Sequence, residues 1–275
     1  MITLTSTLFF YFYRPSEMHR NKRQNTNEIM KFLVCISKAP DTTTKISFTD
    51  NSTKFNNDKV QFIINPYDEW YALVRAIELK EKLGGTVTVL NVGAADNEAI
   101  IRKALAIGAD DAVRIDAEPD DALFVASQIA QHVKSETYDI VLCGKETIDY
   151  NGSEVGGMIA GFLDWTFVSL ATSLELNGNT ATLNREIAGG HEVIELTTPF
   201  VLSAAKGMAE ARIPNMRGIM AARTKPIKVI SPVSAEKFSS IVSYELPKEK
   251  SGVKLISPEH PDELVNLLQN EAKVI

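Results

Sequence analysis

Short apolar runs alternate along this chain with longer stretches in which apolar residues recur every three or four positions. Phe32-Leu33-Val34-Cys35-Ile36, Thr86-Val87-Thr88-Val89-Leu90, Ala112-Val113-Arg114-Ile115 and Asp139-Ile140-Val141-Leu142-Cys143 read as strands, the unbroken runs among them as strands buried on both faces. Helical spacing of Trp70, Leu73, Val74 and Ile77 predicts one helix, and Ile100, Ile101, Ala104 and Leu105 predict a second. Leu123, Phe124, Ile129 and Val133 predict a third, and Val155, Met158, Ile159 and Phe162 a fourth. The punctuation agrees. Asn65 is placed to cap the first helix with Pro66 at its first position, Asp68 and Glu69 suit the positive dipole end, and Gly84-Gly85 stop it. Gly108 ends the second helix and Asp120 is placed to cap the third. Strands alternating with amphipathic helices predict an α/β fold with a doubly wound, mostly parallel, Rossmann-like sheet.

The pattern changes after the fourth helix. Residues 167–176, 180–187 and 191–196 are strand-like and are split by the turn signals Asn177-Gly178 and Gly189-Gly190. They predict a β-meander that extends or flanks the main sheet, with Phe200-Val201-Leu202 rejoining it. Residues 41–61 are polar and read as a loop or small hairpin. Residues 204–225 show no period. From about 230 the chain is polar and punctuated by proline, with a last short helix carrying Leu264, Val265 and Leu268. The expected plan is an extension over 1–29, an α/β domain over 30–229 and a C-terminal extension over 230–275.

Composition narrows the class. The chain has 275 residues, 44% hydrophobic and 23% charged, which is ordinary for a globular protein. A net charge of −6 argues against nucleic acid as the main partner. Cys35 and Cys143 both lie in apolar strands, as buried free thiols do, and a reducing cytoplasm fits them. Leu8 to Tyr13 is too short to cross a bilayer, and its basic residues follow rather than precede it, unlike a secretory signal. Residues 1–29 therefore read as a disordered tail or an over-long start, with a membrane-touching segment as the other reading, and no membrane insertion is expected.

Two strand-to-helix junctions carry the candidate chemistry. One is Asn65-Pro66-Tyr67-Asp68-Glu69. The other runs from Gly144-Lys145 through Ile148 and Asp149 to Gly152-Ser153 and Gly156-Gly157-Met158. Free N–H groups and a helix dipole there suit a phosphate, although the second junction is also what a plain tight turn would look like. Its spacing fits neither GxxxxGK[ST] nor GxGxxG, so no triphosphate machinery is expected. Lys145, Glu146 and Asp149 have no nucleophile beside them and read as a solvated or ribose-contacting loop. The histidines are scattered without metal-ligand spacing, so no metal site is expected, and His132 at a helix end reads as a surface residue. Residues 212–223 combine methionine with flanking arginine. They suit an adaptable docking surface, or else a loop whose methionines fold back on the core.

Several blocks, in order, resemble the beta subunit of electron transfer flavoprotein. They are Leu33 to Asp41, Asn65-Pro66-Tyr67, Ile101 to Asp110, Gly144 to Met158 with Ala160 to Trp165, Arg185 to Gly190, and Arg217-Gly218-Ile219-Met220. The resemblance implies a non-enzymatic electron carrier. It would be a heterodimer whose alpha subunit carries most of the FAD site while this chain buries one AMP and its C-terminal arm packs on the partner subunit. Cys35, Asn65, Pro66, Asp68, Val92, Gly93 and Cys143 fall on or beside the family's AMP-contacting positions, as do Gly144, Lys145, Ile148, Asp149, Gly152, Ser153, Gly156 and Met158. Tyr67 falls where an aromatic side chain approaches the flavin.

The resemblance further implies acyl-CoA and related dehydrogenases as donors, a quinone oxidoreductase as acceptor, and a place in fatty acid beta-oxidation. Docking would fall near 206–225, on Met216 and Ile219, with Arg212 and Arg217 steering acidic partners. The loop after Asp149 departs from the usual AMP-type pattern, which keeps open the bifurcating branch with FAD in place of AMP. A stand-alone nucleotide sensor of the stress-protein type would not need residues 200–275. An adenylating enzyme would need a pyrophosphate loop and a base that the sequence does not display.

Overall fold

A computed structural model of the chain describes residues 29–66, 68–145, 152–248 and 252–275. In chain order its strands and helices are β1 (Lys31–Cys35), β2 (Lys38–Pro40), β3 (Phe48–Thr49), β4 (Lys54–Phe55), β5 (Phe62–Ile64) and α1 (Asp68–Leu83). There follow β6 (Thr86–Val92), α2 (Glu98–Ile107), β7 (Asp111–Ile115), α3 (Ala122–Ser135), β8 (Ile140–Gly144) and α4 (Val155–Leu163). The chain continues with β9 (Thr166–Asn177), β10 (Thr180–Ile187), β11 (Gly190–Thr197), β12 (Phe200–Ala204), α5 (Met216–Thr224), β13 (Ile227–Ile230) and α6 (Pro261–Leu267).

Nine strands form one sheet in the order β11-β10-β9-β12-β8-β1-β6-β7-β13. Pairing is parallel from β9 to β13 and antiparallel through the β9-β10-β11 meander. Central strands are buried on both faces, which is why residues 32–35 of β1, 140–143 of β8 and 200–202 of β12 are unbroken apolar runs. Phe32, Val34, Val89 and Leu142 face a core completed by Leu73 and Ile77 of α1 and by Ile101 and Leu105 of α2. Leu33, Leu90, Val113 and Val141 face the other layer, with Val125 and Ile129 of α3 and Ile159 of α4. The doubly wound, mostly parallel α/β fold with its meander is therefore as expected.

The chain divides into two compact units, one running to Thr43 and resuming over Gln61–Ser240, the other made of Thr44–Val60 with Ile241–Ile275. The first holds the sheet. In the second, the β3-β4 hairpin carries Phe48 stacked on Tyr244 at 4.9 Å, and the Tyr244 N–H donates to Ser52 O at 2.7 Å. Val253 and Leu255 of this unit are exposed.

Four local expectations are corrected. Helix α1 begins at Asp68 rather than at Pro66. The Asn65 N–H still donates to Ser37 O, continuing the β2-β5 ribbon, so helical backbone starts later. Helix α3 is capped by Asp121, whose carboxylate accepts from the Phe124 N–H at 2.9 Å, while Asp120 pairs with Lys237. His132 is buried and lies 3.1 Å from the Tyr138 hydroxyl rather than on the surface. Residues 216–224, without period in the sequence, form α5. Asn215 caps it by accepting from the Gly218 N–H at 2.8 Å.

Candidate functional site

The strand order reverses at β1. From β1 the chain crosses to β6 and β7 on one side, and β8 returns on the other. Crevices outside the carboxyl ends of strands at such a switch point are where open α/β sheets bind ligands. Cys35, Val92 and Gly144 end β1, β6 and β8 there. Cys35, Ser37, Glu69, Leu90, Val92, Val125 and Val155 are among the residues lining a cavity of only about 20 Å³. That is room for a water, not a base. A nucleotide would lie over this apolar floor rather than inside it.

A buried carboxylate fixes the wall of the crevice. Glu69, in the first turn of α1 and 1% exposed, accepts from the Ser37 N–H at 2.5 Å and the Ser37 hydroxyl at 2.6 Å. These charge-assisted bonds lock the amino end of α1 to the end of β1. Gly144 permits the approach, since a Cβ there would lie 2.7 Å from Glu69 Cγ and 2.9 Å from Glu69 N. Asp68, also buried, lies beside Gly144. On the floor, the Cys35 thiol is pushed well above its usual value, chiefly by its hydrogen bond with Cys143 and then by burial, so it stays neutral. Both cysteines are free and buried.

The β6 side is set by amides. The Asn91 side chain donates to Ile36 O at 2.9 Å, and the Asn97 side chain donates to Asn91 Oδ1 at 2.9 Å. Gly93 fits under Asn97, because a Cβ would meet its Nδ2 at 1.9 Å. Arg114 donates to Gly93 O at 2.9 Å and to Asp116 at 2.5 Å. Asn97 Oδ1 and Arg114 Nε are buried and lack hydrogen-bond partners among the described residues.

Cys35, Asp68, Val92, Gly93, Cys143 and Gly144 are thus brought together, with Lys145 directly after Gly144 and with Asn65 and Pro66 on the ribbon bonded to Ser37. Gly152 and Ser153 precede α4, and Ser153 adopts a left-handed backbone with φ of 60°. Gly156 packs its backbone on the Phe167 ring, and Met158 borders the α3-α4 core. Tyr67, Ile148 and Asp149 lie outside the described residues. Sequence reading missed Ser37, Asn91, Asn97 and Arg114. A polar residue inside an apolar strand, as at Asn91 and Arg114, is the signal that could have found two of them. Among the described residues no cluster of His, Cys, Asp or Glu could hold a metal, and no helix is long and apolar enough to cross a membrane.

The segment 212–224 has outward apolar side chains. Ile213 is 85% exposed, Met216 73% and Met220 57%, so these methionines do not fold back on the core. Ile219 and Ala222 face inward. Gly218 lies against α2, where a Cβ would sit 2.3 Å from Ala106 O. Arg102 donates to Ala222 O at 2.7 Å and to Lys225 O at 2.5 Å, satisfying carbonyls at the end of α5. Arg212 is held by Glu81 at 2.7 and 3.0 Å, whereas Arg217 is exposed. Ile213, the most exposed of the three apolar side chains, was not among the expected docking residues. An isoleucine before Pro214 in an otherwise polar, aperiodic stretch was its signal.

Fold and crevice together define a doubly wound α/β protein with an open crevice at the switch point of its sheet. The electron transfer flavoprotein domain matches residues 53–235. The chain is 36% identical over 260 residues to the electron transfer flavoprotein subunit beta of Bacillus subtilis (strain 168), covering 90% of this chain and all of that one. It is 34% identical over 241 residues to the Homo sapiens subunit beta, covering 84% and 94%, and 36% identical over 230 residues to that of Syntrophomonas wolfei, covering 82% and 90%. The chain belongs to the electron transfer flavoprotein beta-subunit family, whose members are electron carriers and not enzymes.

Proposed function

We propose that this chain is the beta subunit of a heterodimeric electron transfer flavoprotein, that it holds a structural AMP at the β1/β8 switch point, and that it docks electron donors through Ile213–Met220. FAD is held mainly by the alpha subunit. Electrons pass from acyl-CoA and related dehydrogenases to a quinone oxidoreductase of the respiratory chain, and the cytoplasm is the expected compartment. The observation that carries the reading is the crevice itself, in a chain of this family. It joins an apolar floor at Cys35 and Val92 to the amino ends of α1 and α4. The residues fit AMP. Neutral thiol and aliphatic surface suit a purine, buried Asp68 suits a ribose hydroxyl, and the start of α4 with Lys145 suits a phosphate. Asn97 Oδ1 and Arg114 Nε add an unsatisfied acceptor and donor at the β6 end.

The test is to co-express the chain with its alpha subunit, denature the complex and identify the released nucleotides by chromatography. One AMP and one FAD per heterodimer is the expected result. Two FAD and no AMP would assign the chain to the bifurcating branch instead. Added AMP should raise Tm by mass action, since it binds the native state alone.

A further inference from the structure

Between α2 and the docking segment lies a cavity of about 360 Å³ lined by Arg102, Lys103, Ala106, Pro214, Ile219, Ala222 and Arg223. Its three cations form no ion pair among the described residues, in a chain whose net charge is −6. Arg102 is committed to two carbonyls at the end of α5. Lys103 lies 4.8 Å over the Trp70 ring. It exerts a minor pull on the Asp41 carboxylate, which is held below its usual range mainly by the Thr43 N–H and hydroxyl. Arg223 is exposed in the last turn of α5. Arg212, the cation nearest the exposed Ile213 in sequence, is already neutralised by Glu81. Positive charge without an ion pair among the described residues is therefore concentrated at the groove, with the exposed Arg217 on the same segment outside its lining.

We propose that this groove receives an acidic side chain, a glutamate or aspartate on the surface of the electron-donating protein. The proposal rests on the docking role given above. The charge of the lining calls for an anion. The surface between the cations is apolar, through Ala106, Pro214, Ile219 and Ala222. A hydrated phosphate would leave that surface uncovered, whereas the methylenes of a carboxylic side chain cover it while the carboxylate reaches Lys103 and Arg223. The groove is continuous with the exposed apolar side chains of the same segment, since Pro214 and Ile219 line it while Ile213, Met216 and Met220 project outward. An apolar anchor beside a charged socket gives orientation and encounter rate without the large buried area that would slow release.

The test uses the purified heterodimer and an acyl-CoA dehydrogenase as donor, with flavin reduction followed by stopped flow at about 10 to 300 mM salt. Lys103→Gln with Arg223→Gln should lower the second-order rate about tenfold at low salt, flatten its salt dependence and converge with wild type at high salt. Lys103→Arg with Arg223→Lys should keep both rate and slope. A charge-matched control outside the groove, Lys134→Gln with Lys206→Gln, should keep most of the slope. An unchanged rate and slope in the glutamine pair overturns the proposal, as does equal loss in the charge-conserving pair, which would signal packing rather than charge. Micromolar binding of inorganic phosphate to the heterodimer, abolished in the glutamine pair, would make a free anion the occupant and also overturns it. A wild-type heterodimer that takes no electrons from any dehydrogenase defeats the docking reading itself, and the socket falls with it.

Discussion

Gly218→Ala pits two effects of opposite sign against each other. In an unconstrained helix interior, alanine is favoured over glycine by about 1 kcal/mol. Here the new Cβ would lie 2.3 Å from Ala106 O, a backbone carbonyl that cannot rotate away. Ordinary carbon–oxygen contact is about 3.3 Å, so α5 must move roughly 1 Å off α2. That displacement stretches the Arg102 bonds to Ala222 O and Lys225 O, now 2.7 and 2.5 Å, toward the edge of hydrogen-bonding range. Overpacking of this kind costs about 1–3 kcal/mol. The clash should win, leaving a net loss of about 1–2 kcal/mol concentrated in α5. Thermal unfolding of the heterodimer should then begin a few degrees lower. Amide exchange over residues 216–224 should speed up while the β1 amides are unaffected. A higher Tm together with slower exchange in α5 would refute the reasoning, because it would mean α5 has room to accept the methyl group.

Three further outcomes concern Gly144, His132 and Cys35. Gly144→Ala should wedge β8 from α1 at Glu69, costing about 1–3 kcal/mol and reducing AMP recovered per heterodimer. Full AMP content at unchanged Tm would disprove the close approach. His132 has its proton affinity lowered chiefly by burial, with Lys228 acting in the same direction and Glu136 against it. The unfolded chain therefore takes up the proton first, and stability present above about pH 6.5 should decline as pH falls from there toward the folded-state value. His132→Phe should remove that part of the slope, and a slope identical to wild type would exclude His132 as its source. Cys35, buried and held as a thiol by Cys143, should alkylate with iodoacetamide at least about tenfold more slowly than a free thiol at pH 8, and at the ordinary rate once the protein is unfolded; a native rate equal to that of the unfolded protein would contradict its burial.

The framework was legible because the signals behind it are local and strong. Phe32 to Ile36 and Asp139 to Cys143 are apolar at nearly every position, and their shortness favours strands with helices on both faces over buried helices. The turns Asn177-Gly178 and Gly189-Gly190 marked the meander, and Gly178 and Gly189 do adopt positive φ, 56° and 82°. What escaped is cooperative. Helix α5 buries one fully enclosed residue, Ala222, and carries a glycine in its first turn, so no apolar stripe announces it. His132 looked exposed because nothing in its neighbourhood reveals that Tyr138 closes over it. Asp120 and Asp121 are equivalent caps by sequence. The choice of Asp121 is made more than a hundred residues away, where the Ser239 N–H and hydroxyl donate to its second oxygen. In the site, the glycines and the aspartate were visible as residue types, but the Glu69–Ser37 bond joins residues 32 apart and no spacing rule points to it.

A nine-residue helix presents Met216 and Met220 to solvent, with Ile213 exposed just ahead of it, without collapsing onto them. An isolated helix of that length is marginal, since about 12–15 residues are needed even in favourable sequences. α5 stands because it is held from outside. Asn215 satisfies its amino end, and Arg102 satisfies carbonyls at its carboxyl end. The Lys225 ammonium donates to Ala109 O at 2.5 Å, and Glu81 pins Arg212 ahead of it. Gly218 lets the backbone lie directly on α2. Every one of these ties acts on the backbone or on the flanks, and none uses Ile213, Met216 or Met220. Among the described residues, the exposed side chains therefore supply none of the ties that hold α5. Truncating them should leave the heterodimer intact while altering its encounters with donors, whereas disturbing Gly218 or Arg102 should alter both. Under the docking role proposed above, stability and contact residues that are separable in this way let the segment change partners without unfolding, which is what a carrier that must repeatedly bind and release requires.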